Sequence, residues 1–261
     1  MAINKKLIHF SKGENFDIQK NNGNILDSSI CFIQDRKTII THGTEYKAVG
    51  WSVIEKGPAA INSAGKSNGV YVVTKDGELV DKSTEDPTAL GVAFISANQR
   101  VMIPKTNATD GTNDALYWGK NLYEQNVPNL AELADATAAR ADFSGKANTE
   151  AIIAGYAALG KNMDSQDICK VLETYNEGGY TDWYVPAAGQ LNEIYTNKSD
   201  INAALTAISG TAFTSYYYWS SSEEYASRAW RVHFSDGSVN YSNKSSSNYV
   251  RFVRDLDEKK K

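Results

Sequence analysis

The segment from Ser215 to Arg254 constrains the fold of this chain more than any other part of the sequence. Trp230, Val232 and Phe234 alternate there with polar residues, and the alternation resumes after Asp236-Gly237. Alternation on both sides of a two-residue Asp-Gly predicts a β-hairpin. Half of the residues in the segment are Ser, Tyr or Asn. The sequence therefore predicts a hairpin with one apolar face and one polar, aromatic face, which is the composition of adaptable binding surfaces.

The rest of the chain contains strands first and helices second. Strand pairs are predicted at Val70–Val73 with Glu78–Val80, around Asp76-Gly77, and at Leu90–Ile95 with Arg100–Pro104. Helices are predicted at Asn148–Leu159, from an Asp164 or Ser165 cap to Tyr175, after Pro186, and at Ile201–Ile208, whereas Asn129–Ala141 fits a helix or an extended segment. Strands, then helices, then returning strands predict an α+β fold with an antiparallel sheet.

The pattern also suggests a division of the chain. Residues 1–47, with β-rich runs at Ser29–Ile33 and Thr38–Gly43, are predicted to form a small N-terminal attachment or oligomerisation segment. Residues 48–68 are predicted to be a linker or a loop leading into the next domain, residues 69–255 a ligand-binding domain, and residues 256–261 a charged tail.

Composition and charge disfavour several function classes. The net charge is −4 and the one basic block is the tail Lys259–Lys261, so we expect no nucleic-acid binding. No apolar run reaches membrane-spanning length, and no apolar run of a secretory signal follows the N-terminal lysines, so we expect neither membrane insertion nor a signal peptide. Cys31 and Cys169 lie far apart and form no metal-ligand pattern, so we expect no metal and no cofactor.

Catalysis is also disfavoured. His233 has no Ser or Cys nucleophile in a suitable sequence context, and Glu223-Glu224 with Asp236 fits structural carboxylates better than an acid/base pair. We therefore expect that the protein is not an enzyme.

Four motifs carry a resemblance to a known family. They are Asp182–Asn192 (DWYVPAAGQLN), Tyr218–Glu223 (YWSSSE), Ala229-Trp230, and Val250–Arg254 (VRFVR). Together they resemble the C-type-lectin-fold domains of the variable proteins of diversity-generating retroelements, the family that includes the major tropism determinant. They are similar as well to the formylglycine-generating-enzyme branch of that fold. The run from Ser28 to Tyr46 resembles an N-terminal module of tail-associated proteins in phages and prophages of Bacteroides-type bacteria.

The resemblance implies a receptor-binding protein at a phage or prophage tail-fibre tip. Such a protein would be made in the host cytoplasm, would reside in the virion tail as a homotrimer, and would contact tail or fibre proteins through its N-terminal segment. Its ligand would be a bacterial-surface protein or glycan. Repeated copies would raise a weak single-site affinity through avidity.

The resemblance further implies two interleaved sets of residues. The diversified, ligand-binding set would be Tyr216, Tyr217, Tyr225, Ser227, Arg228, Arg231, His233, Ser235, Asn240, Tyr241, Ser242, Asn243, Ser245, Ser246, Ser247 and Asn248. The constant scaffold would include Trp183, Trp219, Glu223, Trp230, Phe234, Gly237, Lys244, Arg251 and Arg254.

Other functions within the same fold are distinguishable from the sequence. The Glu-Pro-Asn and Trp-Asn-Asp motifs of calcium-dependent sugar-binding lectins do not occur, so calcium-mediated sugar binding is not expected. The active-site cysteine pair of the formylglycine branch has no counterpart, because Cys169 is alone in the domain. The alternative that stays open is a structural or adhesion domain of the same fold with a fixed surface.

Overall fold

A computed structural model describes the strand backbone of residues 31–33, 38–41 and 44–47, and also residues 60–61 and 63–256. The chain divides into two compact units, Met1–Lys56 and Gly57–Lys261. In the first unit, three strands form an antiparallel sheet in the order β1-β2-β3. They are β1 (Cys31–Ile33), β2 (Thr38–Thr41) and β3 (Thr44–Lys47). Strands β1 and β2 lie within the two β-rich runs predicted in this unit, whereas residues 1–30, 34–37, 42 and 43 of the predicted N-terminal segment lie outside the described residues.

The second unit contains two five-stranded sheets. The first has the order β13-β7-β6-β4-β5 and is antiparallel throughout. Its strands are β4 (Gly69–Val73), β5 (Leu79–Asp81), β6 (Gly91–Ile95), β7 (Arg100–Pro104) and β13 (Arg254–Asp255). The second has the order β11-β10-β9-β12-β8, and only β9 and β12 are parallel neighbours in it. Its strands are β8 (Ala115–Tyr117), β9 (Tyr217–Tyr225), β10 (Arg228–His233), β11 (Val239–Asn243) and β12 (Ser247–Tyr249).

Five α-helices lie between the early and the late strands. They are α1 (Ala136–Arg140), α2 (Gly145–Ala158), α3 (Ile168–Leu172), α4 (Ala188–Thr196) and α5 (Lys198–Ala207). The predicted α+β order of elements is confirmed. No helix among residues 60–61 and 63–256 is long and apolar enough to cross a membrane.

The first sheet is buried on both of its faces. Val92 and Phe94 of β6 pack into a core shared with α4 and α5, whereas Ala93 and Ile95 pack into a second core around α2 and α3. A strand covered on both faces loses the apolar–polar alternation and becomes a continuous apolar run. That burial explains why β6 has the sequence Gly-Val-Ala-Phe-Ile.

Helix α2 begins earlier than the predicted helix at Asn148–Leu159. Its first residue is Gly145, which lies so close to α4 that a Cβ would approach the Ala187 amide nitrogen at 2.8 Å and the Gln190 side-chain oxygen at 2.2 Å. A residue without a side chain is required there, and that requirement comes from packing between helices rather than from local capping. The early start of α2 is therefore a tertiary effect.

The predicted hairpin is present, but its predicted two-residue turn is wrong. Strand β10 ends at His233 and β11 begins at Val239, so five residues connect them. The Phe234 amide donates to the Tyr216 carbonyl (2.9 Å), which directs Phe234 toward β9 before the chain turns. The turn is then completed at Gly237, which has a φ of +74° and donates to the His233 carbonyl (2.8 Å). Burial of the Phe234 ring, which is fully enclosed, lengthens the connection.

Candidate ligand-binding surface

The residues predicted to bind ligand all lie on or beside β9 to β12. The exposed ones are Tyr216, Tyr225, Ser235, Tyr241, Asn243, Ser245 and Ser247. The half-buried ones are Tyr217, Ser227, Arg228, Arg231, His233, Asn240, Ser242 and Ser246. The second sheet thus brings 15 of the 16 predicted positions to a surface that solvent reaches in whole or in part.

Asn248 is the exception, and its predicted outward orientation is wrong. The residue is only 6% exposed, and its side-chain oxygen accepts a hydrogen bond from Arg231 Nη1 at 3.0 Å. Asn248 lies in β12, whose neighbours β8 and β9 cover it on both sides. An Asn in a Ser-rich run is typical of an exposed loop, and the pairing of β12 with two other strands overrides that local signal.

Five side chains form a connected group at the centre of the sheet, and we call it the Arg231 cluster: Tyr217, Arg231, His233, Asn240 and Asn248. The Arg231 guanidinium lies 3.7 Å from the centre of the Tyr217 ring, and the His233 ring stacks on Tyr217 at 4.2 Å. Arg231 Nε donates to the Asn240 side-chain oxygen at 2.9 Å. Burial lowers the pKa of Arg231 below its ordinary value. The guanidinium is therefore held in one position by two amides and an aromatic ring.

Two other groups of aromatic side chains lie on the opposite face of the same sheet, because Tyr241 pairs with Trp230 and Tyr249 with Tyr218, whereas Arg231 pairs with Asn240. Arg228 lies over the Tyr241 ring at 4.2 Å, and its Nε is 2.7 Å from the Glu224 carboxylate. Tyr216 stacks on Tyr249 with ring centres 5.1 Å apart. Tyr249 was not among the predicted binding residues. Its position in the same Ser- and Asn-rich run as Tyr241 is the signal that could have identified it.

Buried tryptophans anchor the strands beneath this surface. Trp219 donates its indole N–H to the Leu116 carbonyl at 3.0 Å, and Trp230 donates to the Leu133 carbonyl at 2.9 Å. Trp183 donates to the Tyr180 carbonyl at 3.0 Å. Each indole is at most 5% exposed and has its polar atom paired, so each buries a large apolar area without leaving an unpaired donor.

A buried ion pair between Glu223 and Lys244 links β9 to the residue that follows β11. Both side chains are fully buried, and the Glu223 carboxylate also accepts from the Val127 amide. Lys244 donates in addition to the Gln125 carbonyl at 2.7 Å. Burial raises the pKa of Glu223 and lowers that of Lys244, while the attraction of each partner opposes the shift. The pair therefore holds β9 and the end of β11 to the loop that carries residues 125 and 127.

The two arginines near the C-terminal end have different partners. Arg254 makes a two-point ion pair with Asp182, at 2.7 and 2.8 Å. Arg251 has neutral partners: it donates to the Asn107 side chain and to the carbonyls of Pro104 and Thr211. Burial lowers the pKa of Arg251 to about 10.

The Asp182–Arg254 pair should make the stability of the domain decrease measurably at acidic pH. Burial alone would raise the pKa of Asp182, but the hydrogen bonds and charge of Arg254 outweigh it and hold this pKa below its ordinary value. A lowered carboxylate pKa contributes stability above the unfolded pKa, and this contribution is lost as pH falls through the folded one. We expect Asp182→Asn to lower the Tm at pH 7 and to lower it less at pH 2–3. Parallel Tm–pH curves for the variant and the wild type would contradict this assignment.

The described residues offer no alternative site with evident chemistry. Cys169 is buried, and burial raises the pKa of its thiol, so it does not resemble an activated nucleophile. Among residues 60–61 and 63–256, no three His, Cys, Asp or Glu side chains are arranged to hold a metal ion. Two cavities in the described structure lie away from the β9–β12 surface. They are lined by residues such as Lys170 and Glu177 in one case and Lys146 and Gln190 in the other.

Comparison with known proteins places most of this domain in a family. The sequence matches the Lcl C-terminal domain family over residues 107–254, which is more than half of the chain. The chain belongs to this family. The Lcl C-terminal domain region begins just before β8 and ends at β13, so it contains the whole Arg231 cluster and its buried anchors. The match supports the resemblance found in the sequence at the coarse level of the family.

Two further comparisons add less. A solved structure of a fimbrial protein from Bacteroides ovatus ATCC 8483 is similar, with 15% sequence identity and a TM-score of 0.49. The similarity covers 72% of this chain and 48% of that one, so the chain spans about half the length of its structural relative. No curated protein matches the chain.

Proposed function

We propose that this protein is a surface-binding or adhesion protein, and that the β9–β12 surface is where it contacts a macromolecular ligand. The proposal depends on one observation above all: three tyrosines of this surface, Tyr216, Tyr225 and Tyr241, are 57%, 53% and 44% exposed. Exposed aromatic side chains on a group of neighbouring strands mark interaction sites. The buried tryptophans that support these strands are different residues, so the strands should keep their positions when the exposed tyrosines are replaced.

The finer parts of the proposal follow from the sequence resemblance. We propose a C-type-lectin-like fold for the domain and a surface diversified by a retroelement. The chain would act at a phage or prophage tail-fibre tip as a homotrimer, would attach to tail proteins through residues 1–47, and would bind a protein or glycan on a bacterial surface. It would bind without catalysis and without a metal. A domain of the same fold with a fixed adhesive surface is the alternative.

Substitution of the exposed tyrosines tests the binding surface. We expect the triple variant Tyr216→Ser/Tyr225→Ser/Tyr241→Ser to bind about 10- to 100-fold more weakly than the wild type, because aromatic residues dominate interface energies. The measurement is binding of the fluorescently labelled full chain to intact cells of a bacterial panel that includes Bacteroides species. The Tm of the variant should change by only a few degrees.

A matched control comes from the exposed apolar side chains outside this surface. Tyr123 and Ile153 are 39% and 38% exposed, so Tyr123→Ser/Ile153→Ser removes a similar kind of side chain elsewhere. This variant should bind like the wild type. Equal losses in both variants would show that general stickiness, and not the β9–β12 surface, accounts for binding.

Diversification has a separate test in the neighbouring DNA. We expect a near-copy of the segment that encodes residues 215–254, differing from it at adenines, beside a reverse-transcriptase gene. If the locus holds no such copy, the fixed adhesive surface is the correct alternative.

A further inference from the structure

The positive charges of residues 215–254 differ in whether a carboxylate already neutralises them. Arg228 is paired with Glu224 at 2.7 Å and Arg254 with Asp182 at 2.7 Å. Lys244 is buried against Glu223. Arg251 is 1% exposed, so no ligand reaches it.

Arg231 is the exception in this segment. It is half-buried, solvent reaches it, and its hydrogen-bond partners are the neutral side-chain oxygens of Asn240 and Asn248. Within the described part of the chain, no Asp or Glu forms an ion pair with it. A partly desolvated guanidinium without a counter-charge interacts more strongly with an incoming anion than one in open water.

The geometry leaves part of the Arg231 fork available. Nε donates to Asn240 and Nη1 donates one hydrogen to Asn248, which leaves the other Nη1 hydrogen and both Nη2 hydrogens. Those hydrogens form the end of the guanidinium that pairs with both oxygens of a carboxylate. Contact with the Tyr217 ring fixes the side chain, so little conformational entropy is lost on binding.

A second observation points to a ligand at the same place. Asn248 is more than nine-tenths buried, and its side-chain Nδ2 has no hydrogen-bond acceptor, although its Oδ1 is bonded to Arg231. A buried donor without an acceptor costs free energy that a bound acceptor would recover. The unpaired amide and the unneutralised guanidinium are thus neighbours, and hydrogens of both groups lack an acceptor.

We propose that Arg231 is the affinity anchor of the β9–β12 surface and takes an Asp or Glu side chain of a protein ligand. This inference rests on the proposed function and specifies the chemistry of its ligand. A protein is favoured because the exposed tyrosines of the β9–β12 surface offer the large aromatic contact area that is typical of protein interfaces. The tyrosines and serines of these strands have the composition of surfaces that bind proteins.

The test uses a displayed library of random dodecapeptides, selected in parallel on the full chain, on Arg231→Gln and on Arg140→Gln. Arg140 is an exposed arginine at the end of α1, outside the surface, and serves as the matched control. We expect peptides selected on the wild type and on Arg140→Gln to be enriched in Asp and Glu over the starting library. Peptides selected on Arg231→Gln should lack that enrichment.

One wild-type-selected peptide is then synthesised with its acidic residue intact or replaced by the matching amide. Calorimetry should show a roughly 10- to 100-fold loss of affinity for either the peptide change or Arg231→Gln, and no further loss when both are combined. Arg231→Lys keeps the charge but not the fork, and should recover only part of the affinity. An unchanged Tm of Arg231→Gln shows that folding is intact.

Several results would overturn the proposal. Acidic enrichment that persists on Arg231→Gln places the anchor elsewhere. If the wild type selects neutral peptides, the β9–β12 surface is still a binding surface, but the proposal that Arg231 binds a carboxylate is wrong. If no peptide is selected, the proposed protein ligand is wrong, and Arg231-dependent binding of a glucuronate-containing oligosaccharide would assign the carboxylate to a glycan. If that probe fails too, the carboxylate anchor is wrong, and the binding surface itself is judged by the tyrosine variants on intact cells.

Discussion

Replacing Lys244 by Met should lower the free energy of unfolding by about 3–5 kcal/mol, because it leaves the Glu223 carboxylate buried without its counter-charge. Glu223 would keep only its backbone donors, among them the Val127 amide. A loss of this size is a large fraction of the stability of an ordinary domain. Urea denaturation of the wild type and the variant at pH 7 measures it.

The pH dependence separates a lost ion pair from lost packing. Burial raises the pKa of Glu223, and without Lys244 only the smaller effect of the Val127 amide opposes that rise. A raised carboxylate pKa gives stability that is present at low pH and lost as pH increases through the folded value. Lys244→Met should therefore be least stable, relative to the wild type, at neutral pH and should regain part of the difference at about pH 5.

Two further variants define the control for this pair. Lys146→Met changes an exposed lysine and should alter the free energy of unfolding by less than about 0.5 kcal/mol. The double variant Glu223→Gln/Lys244→Met removes the uncompensated charge and should be more stable than Lys244→Met alone. If the single and double variants lose the same stability, burial of an unpaired charge is not the cause.

Trp230→Ala is the second change with a large expected effect. The side chain is 3% exposed, packs with Val232 and Phe234 against α4, and pairs its indole N–H with the Leu133 carbonyl. Truncating a buried aromatic side chain to Ala costs about 3–5 kcal/mol through lost burial and the cavity that remains. We expect the variant to be largely unfolded at 37 °C, as circular dichroism would show.

Tyr241→Ala provides the comparison within the same strand pair. Tyr241 lies opposite Trp230, touches it edge-on and is 44% exposed, so its removal should cost less than about 1 kcal/mol. Ligand binding should be the property that changes. Equal losses of Tm in Trp230→Ala and Tyr241→Ala would refute the separation between a buried scaffold and an exposed binding set.

Much of this architecture is readable from local sequence. The alternation around Trp230 and Val232 predicted the β10–β11 hairpin, and the apolar runs at residues 90–95 and 100–104 predicted β6 and β7. Helices α2, α4 and α5 were found within a few residues of their limits. These elements are predictable because their apolar period and their end signals are encoded within the element itself.

Features set by distant parts of the chain were not predictable. Asn248 is buried because two other strands cover it, and the connection after His233 is longer than two residues because Phe234 bonds to Tyr216. The partner of Lys244 is equally invisible from local sequence, since 21 residues separate it from Glu223. In each case the deciding contact joins residues whose proximity exists only in the folded domain.

The contacts inside the Arg231 cluster limit how many of its positions can vary independently. Arg231 is bonded to Asn240 and Asn248 and lies on Tyr217, so a change at one of these four positions alters what the other three require. Energies of residues in direct contact do not add. Random substitution at these four positions would therefore yield far fewer functional variants than the number of possible residue combinations. A variant library should therefore change these four residues together, in compatible combinations, and change the exposed tyrosines independently. Such a library would contain a larger fraction of folded, binding-competent variants.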